Sequence, residues 1–140
     1  MVFQVTRKIM DRLKVEGLKC RVLDLGDSSA IELGIRLRSG TGFMFQFIST
    51  DEGNDIALRV FDVVAVPDCS FQNVLLAINE LNRDYRYAKF VLIHQQKTVQ
   101  MEMDVPKNTQ DVSSVSLELL HRGVQILEDA YPRLLKAVTG

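Results

Sequence analysis

Apolar residues recur along this chain with two periods, one near 3.6 residues and one near 2, and the switches between them mark the elements. Val5, Ile9 and Leu13 fall on one helical stripe with Phe3 and Met10 beside it. This predicts a helix over Phe3–Glu16, ended by Gly17 as a left-handed C-cap. Cys20–Leu25 reads as a short strand, with Gly26-Asp27-Ser28-Ser29 as its turn. Ile31, Leu33, Ile35 and Leu37 then alternate with Glu32, Gly34, Arg36 and Arg38, the pattern of a strand with one wet face. After Ser39-Gly40-Thr41 comes Gly42–Ser49, where Phe43, Met44, Phe45, Phe47 and Ile48 put apolar groups on both faces. Thr50–Asp55 is a polar turn. In Ile56–Val66 the parity of Ile56, Leu58 and Val60 next meets Asp62, so a bulge is expected near Val60–Asp62.

Beyond Pro67, the capping candidates Asp68 and Ser70 precede Phe71, Val74, Leu75, Ile78 and Leu81, spaced for one face of a helix. Asn82 shares that face with Phe71, Val74, Ile78 and Tyr85. An amide buried there needs partners, and backbone groups at the turn into Phe90 are the expected ones. Phe90–Gln95 and Thr98–Val105, joined by Gln96-Lys97, predict a hairpin closed by Pro106. From about Asp111 a long helix carries Leu117, Leu120, Val124, Leu127, Tyr131, Leu134 and Val138 on one stripe. Val112, Val115, Leu119 and Ile126 form a second stripe, making an apolar arc of roughly 200°. Pro132 predicts a kink or a restart.

The predicted order, α-β(3-4)-α-β(2)-α, is that of a two-layer α+β domain: a mostly antiparallel sheet with helices packed on it. It excludes the repeating βαβ of doubly wound nucleotide-binding folds. The 140 residues suit one such domain over positions 1–140.

Composition narrows the function classes. Apolar residues are 46% of the chain, too many for intrinsic disorder, and the net charge is −1 with signs interleaved. The densest basic cluster, Arg7 to Arg21, is diluted by Asp11 and Glu16, so neither nucleic acid nor a membrane surface is an expected partner. Met1–Met10 lacks the apolar core of a secretory signal. Cys20 and Cys69 read as free thiols in a reducing compartment, and a cytoplasmic location is expected.

Chemistry is sparse. No nucleophile elbow, Walker loop or dinucleotide fingerprint occurs. Ser39-Gly40-Thr41-Gly42 joins two strands instead of opening a helix, so it offers no phosphate cradle. Cys20, Cys69, His94 and His121 lack the short spacings of a metal site, and Asp51, Glu52 and Asp55 around Gly53-Asn54 lack the register of a calcium loop. No enzyme activity, metal or cofactor is expected. Binding accounts better for two features, the doubly apolar strand and the wide arc of the last helix. Phe43, Phe45, Phe47, Leu119 and Ile126 are therefore candidates for a dimer or partner surface, with Phe45 expected in the core and Ile126 at an interface. The expected assembly is a homodimer with a protein or peptide partner. The alternative is a small-ligand protein or enzyme with a pocket between sheet and helices.

Asn79-Glu80-Leu81-Asn82, Lys89-Phe90, the hairpin into Val99–Val105 and Ala130-Tyr131-Pro132-Arg133-Leu134 resemble the YbjN family, small bacterial proteins described as sensory transduction regulators. The resemblance is strongest over Pro67–Val138. It implies a fold similar to that of type III secretion chaperones, α-β(3)-α-β(2)-α, which are typically homodimers holding partner polypeptides on exposed apolar surface. The strand Cys20–Leu25 is one more than that count. The resemblance carries no catalytic motif.

Overall fold

Three helices cover one face of a six-stranded antiparallel sheet in the computed structural model, which describes residues 1–52 and 55–140. The chain runs α1 (Gln4–Val15), β1 (Arg21–Asp24), β2 (Ser29–Arg36), β3 (Gly42–Ser49), β4 (Ile56–Ala65), α2 (Phe71–Asp84), β5 (Lys89–Ile93), β6 (Thr98–Val105) and α3 (Val112–Thr139). Across the sheet the order is β1-β2-β3-β4-β6-β5. This is the α+β architecture that the periodicity implies, with four strands before α2. Gly53-Asn54, at the centre of the turn weighed as a calcium loop, lie outside the described residues.

Period-2 alternation settles β3. Phe43, Phe45 and Phe47 face the helices and are buried, while Met44 points away and is exposed. The parity conflict in β4 is resolved by a bulge: Val60 pairs with Met101 but Val64 with Val99, and Asp62 takes φ 54° to absorb the extra residues. The first strand of the β5–β6 hairpin ends at Ile93, short of the expected Gln95. His94–Gln96 tighten into a single 3-10 turn, and Lys97 adopts φ 53° to reverse the chain into β6.

α1 is fastened to the sheet by hydroxyls. Ser29 and Ser49 are register partners on β2 and β3. The buried Thr6 hydroxyl lies 2.7 Å from Ser29 Oγ and 2.6 Å from Ser49 Oγ, so three buried polar groups satisfy one another. Phe3, at the N-cap, offers no side-chain acceptor, and the Glu52 carboxylate instead accepts from Gln4 N–H at 2.7 Å. Neither Asp68 nor Ser70 caps α2 as expected. Asp68–Ser70 form a 3-10 turn, and the Ser70 hydroxyl donates to Val138 C=O at 2.6 Å, tying this turn to the end of α3. Arg133 reinforces the same junction from α3, reaching Asp84 at 3.0 Å on α2.

α3 runs unbroken through Pro132, where a kink or restart is expected from sequence. It lies on β4 and β6, with α1 along one flank and α2 along the other. Its innermost line alternates small and large residues: Ser116 with Leu120, Gly123 with Leu127, Ala130 with Leu134, repeating every seven and all buried. At Gly123 the approach is close. A Cβ there would stand 3.2 Å from Met103 Sδ and 3.4 Å from both Met101 Cε and Phe45 Cε2.

Two substitutions on this line should move stability in opposite directions. Gly123→Leu overpacks the crossing and is expected to cost about 1–3 kcal/mol. Ser116 Oγ is buried with no hydrogen-bond partner, so Ser116→Ala removes an unsatisfied group and adds helix propensity, a gain of roughly 1 kcal/mol. Urea midpoints check both. A lower midpoint for Ser116→Ala would mean that the hydroxyl is satisfied in solution.

Candidate interaction surfaces

The five residues singled out as a dimer or partner surface all pack inside this chain. Phe45 and Phe47 are 0% and 1% exposed, and Phe43, Leu119 and Ile126 are 8–9% exposed. Phe43 also meets the Tyr131 ring edge-on, at 5.1 Å between centroids. The second stripe of the last helix finds its partners within the molecule because α3 has a neighbour on each flank as well as the sheet beneath. An arc of that width is what a helix touching three elements needs. Phe45 is core, as expected from sequence, whereas Ile126 is core too and offers no free surface.

The surface left bare by the helices is the other face of the sheet, and a single polar row crosses it from edge to edge. Arg21, Glu32, Gln46, Arg59, Glu102 and Lys89 are successive register partners on all six strands. Arg21 donates to Glu32 through Nε at 2.8 Å and Nη2 at 2.5 Å, and Gln46 adds a bond to the other carboxylate oxygen at 2.9 Å. Glu102 lies between Arg59 at 3.9 Å and Lys89 at 3.6 Å and accepts from Gln100 at 2.5 Å. The hydrogen bonds from Arg21, helped by that from Gln46, hold the Glu32 carboxyl below its usual range against the opposing effect of desolvation. Opposite charges alternate where they touch, so this face is internally neutralised and offers little net field.

Large apolar side chains are exposed at several points, among them Val15, Leu25, Tyr87 and Leu135, and in two places they come in adjacent pairs. On the bare sheet face Met44 is 47% and Phe61 42% exposed, Phe61 sharing the outward parity of Ala57 and Arg59 just before the bulge. On α2, Leu75 and Leu76 are exposed at 45% and 65%, while Val74, Ile78 and Leu81 fill the buried side. Sequence reasoning placed Leu75 on the packed stripe and did not weigh Leu76. Consecutive helical positions lie about 100° apart, so Val74, Leu75 and Leu76 cannot all face inward. Beside Leu76 a hollow of about 300 Å³ opens between α2 and the end of α3, lined by Asn73, Ala77, Glu80, Arg133 and Lys136 among others. Another of about 300 Å³ opens beside α3, walled by Leu18, Ile35, Leu120, His121, Val124 and Gln125. Both are open surface depressions. The layer between sheet and helices is filled by Phe45, Phe47, Phe90, Met101 and Met103.

A family model for YbjN, described as "putative bacterial sensory transduction regulator", matches residues 12–136. The chain belongs to the YbjN family. The match covers α2, the β5–β6 hairpin and most of α3, and it also takes in β1 to β4 and the end of α1. No curated protein and no solved structure matches it.

The titratable groups of this YbjN-family chain are dispersed. Among the described residues, no three His, Cys, Asp or Glu side chains come together as metal ligands. His94 packs edge-on against Phe71 at 5.0 Å, and His121 borders the hollow beside Leu120. Both thiols are free, Cys69 exposed and Cys20 half-buried with its pKa raised by burial, an effect that Lys14 partly offsets. Of the acidic turn, Glu52 is taken up by the start of α1. Among the described residues no helix is long and apolar enough to cross a membrane.

The polar row makes a pH prediction. A folded-state pKa below the unfolded value means that ionised Glu32 stabilises the fold above the ordinary carboxylate range. That contribution is lost as pH falls through the lowered folded value. Wild type should therefore exceed Glu32→Gln in urea midpoint near neutral pH, and the gap should close on acidification. A gap of constant size at every pH would assign the effect to shape and not to charge.

Proposed function

We propose that this chain is a non-enzymatic, regulatory protein-binding module that acts as a homodimer, joined through exposed apolar surface. The observation that carries this reading is the Leu75–Leu76 pair of α2, two adjacent leucines 45% and 65% exposed on a helix whose inner side is already packed. A contiguous aliphatic patch on a rigid helix is the usual core of an interface, where a few buried anchors supply most of the affinity. The polar, neutralised sheet face is the less suited of the two surfaces, because covering it would desolvate the charges of Arg59 and Glu102, which are already partly withdrawn from water. Two further points agree with the reading: the family description as a regulator, and the likeness in element order to type III secretion chaperones, which work as dimers. The scattered thiols, imidazoles and carboxylates assemble no nucleophile–base pair that would favour catalysis.

In this arrangement α2 of one copy packs against α2 of the other, and the charged residues beside the leucines, Glu80 and Arg133, form the rim. The double substitution Leu75→Glu with Leu76→Glu is expected to convert a dimer to a monomer in sedimentation equilibrium. Because both side chains point outward, the unfolding midpoint of the separated chain should change by no more than about 0.5 kcal/mol. Phe61→Ser, on the opposite side of the sheet, should leave the dimer intact. A wild-type chain that stays monomeric across the whole accessible concentration range would remove the basis for the proposal.

A further inference from the structure

β5 is an outermost strand, and its register sets Phe90 opposite Met101 and Leu92 opposite Val99 on β6. In an antiparallel ladder the N–H and C=O of one residue point to the same side, and successive residues alternate. Those of Phe90 point to the free edge, where one side chain meets both. Phe90 N–H donates to Asn82 Oδ1 at 2.7 Å, and Asn82 Nδ2 donates to Phe90 C=O at 3.1 Å. A carboxamide presents an acceptor and a donor with nearly the spacing of a peptide group, so Asn82 imitates one residue of an incoming strand. By the same alternation Leu92 also faces the edge.

The strand so covered is the one most in need of it. Phe90-Val91-Leu92-Ile93 is uncharged, aromatic and β-branched, the composition of an edge that recruits other chains. The opposite edge, β1, is four residues long and carries a charge at each end, Arg21 and Asp24. β5 has only Lys89, at its start. We propose that Asn82 is a lock on the β5 edge, occupying the position at which β5 of a second copy of this chain would otherwise add. Two β5 strands related by a two-fold axis fit in one register: Phe90 of each copy opposite Leu92 of the other, with Val91 opposite Val91. In that register every edge-facing backbone group finds a partner, and apolar side chains meet on both faces. With Asn82 in place the ladder cannot begin.

The lock is independent of the dimer proposed through Leu75 and Leu76, because association is read as mass gained beyond whatever the wild type forms. Asn82→Ala is expected to raise that mass at least twofold in sedimentation at concentrations where wild type does not change. In dilute solution its Phe90 amide should exchange with solvent tenfold faster or more. Adding Val91→Lys to Asn82→Ala places two like charges directly opposite each other in the two-fold register and should abolish the extra mass. Val91 lies on the helix-free face of the sheet, so the substitution leaves the core untouched. The proposal is overturned if Asn82→Ala folds and keeps the wild-type mass. It is equally overturned if that variant fails to fold, which would make Asn82 an ordinary structural contact. Extra mass that survives Val91→Lys would place the association elsewhere.

Discussion

The closeness of α3 to the sheet governs the rest of the molecule. At Gly123 the helix backbone comes near enough to Phe45, Met101 and Met103 that even a methyl group would crowd them. The repeat of small and large residues extends that seat along the helix: Ser116, Gly123 and Ala130 let the backbone down, while Leu120, Leu127 and Leu134 fill the space between sheet and helix. A helix lowered in this way also brings its sides within reach of α1 and α2. The interior is consequently one continuous packing of aromatic, aliphatic and thioether side chains. The methionines matter in that setting, because an unbranched, polarizable chain conforms to a backbone that a branched one would repel.

A core filled to this degree pushes function to the periphery. The sheet–helix layer is occupied, the depressions that flank α3 are shallow and largely apolar, and several ionisable groups are paired with one another or serve helix ends. What the periphery offers is shape and exposed carbon, including two leucines on α2 and a methionine and a phenylalanine on the bare sheet face. Exposed carbon of this kind is suited to recognition. A family described as regulatory is compatible with that economy of means.

Much of this was legible in the sequence, for identifiable reasons. Element type followed from periodicity, and the bulge in β4 followed from the meeting of two parities at Asp62, because a strand cannot change face without an extra residue. Asn82 was legible as the partner of the backbone at the turn into Phe90, although the residue is exposed and not buried as expected. What could not be read was which neighbour each surface meets. The wide arc of α3 looked like surplus because a single chain gives no view of α1 and α2 lying alongside it. Phe43 and Phe47 looked available for the same reason. Leu76 stayed unnoticed because a stripe is drawn through the residues that fit it, and the outward neighbour of a fitting leucine is easily passed over. Pro132 does not restart the helix, which runs on as one element to Thr139.

The row from Arg21 to Lys89 has a consequence for how the chain finds its native pairing. Each strand contributes one long polar side chain at the same height, so the six positions work as alignment marks. A strand displaced by a single residue would turn its mark inward among the phenylalanines and leave the neighbouring marks without a counterpart. The penalty is greatest in the middle, where Arg59 also donates to Met103 C=O at 2.9 Å and to the Asp104 carboxylate at 2.9 Å. Slipped registers are thus disfavoured at every strand. The face of the sheet that does least for cohesion serves as its proofreader.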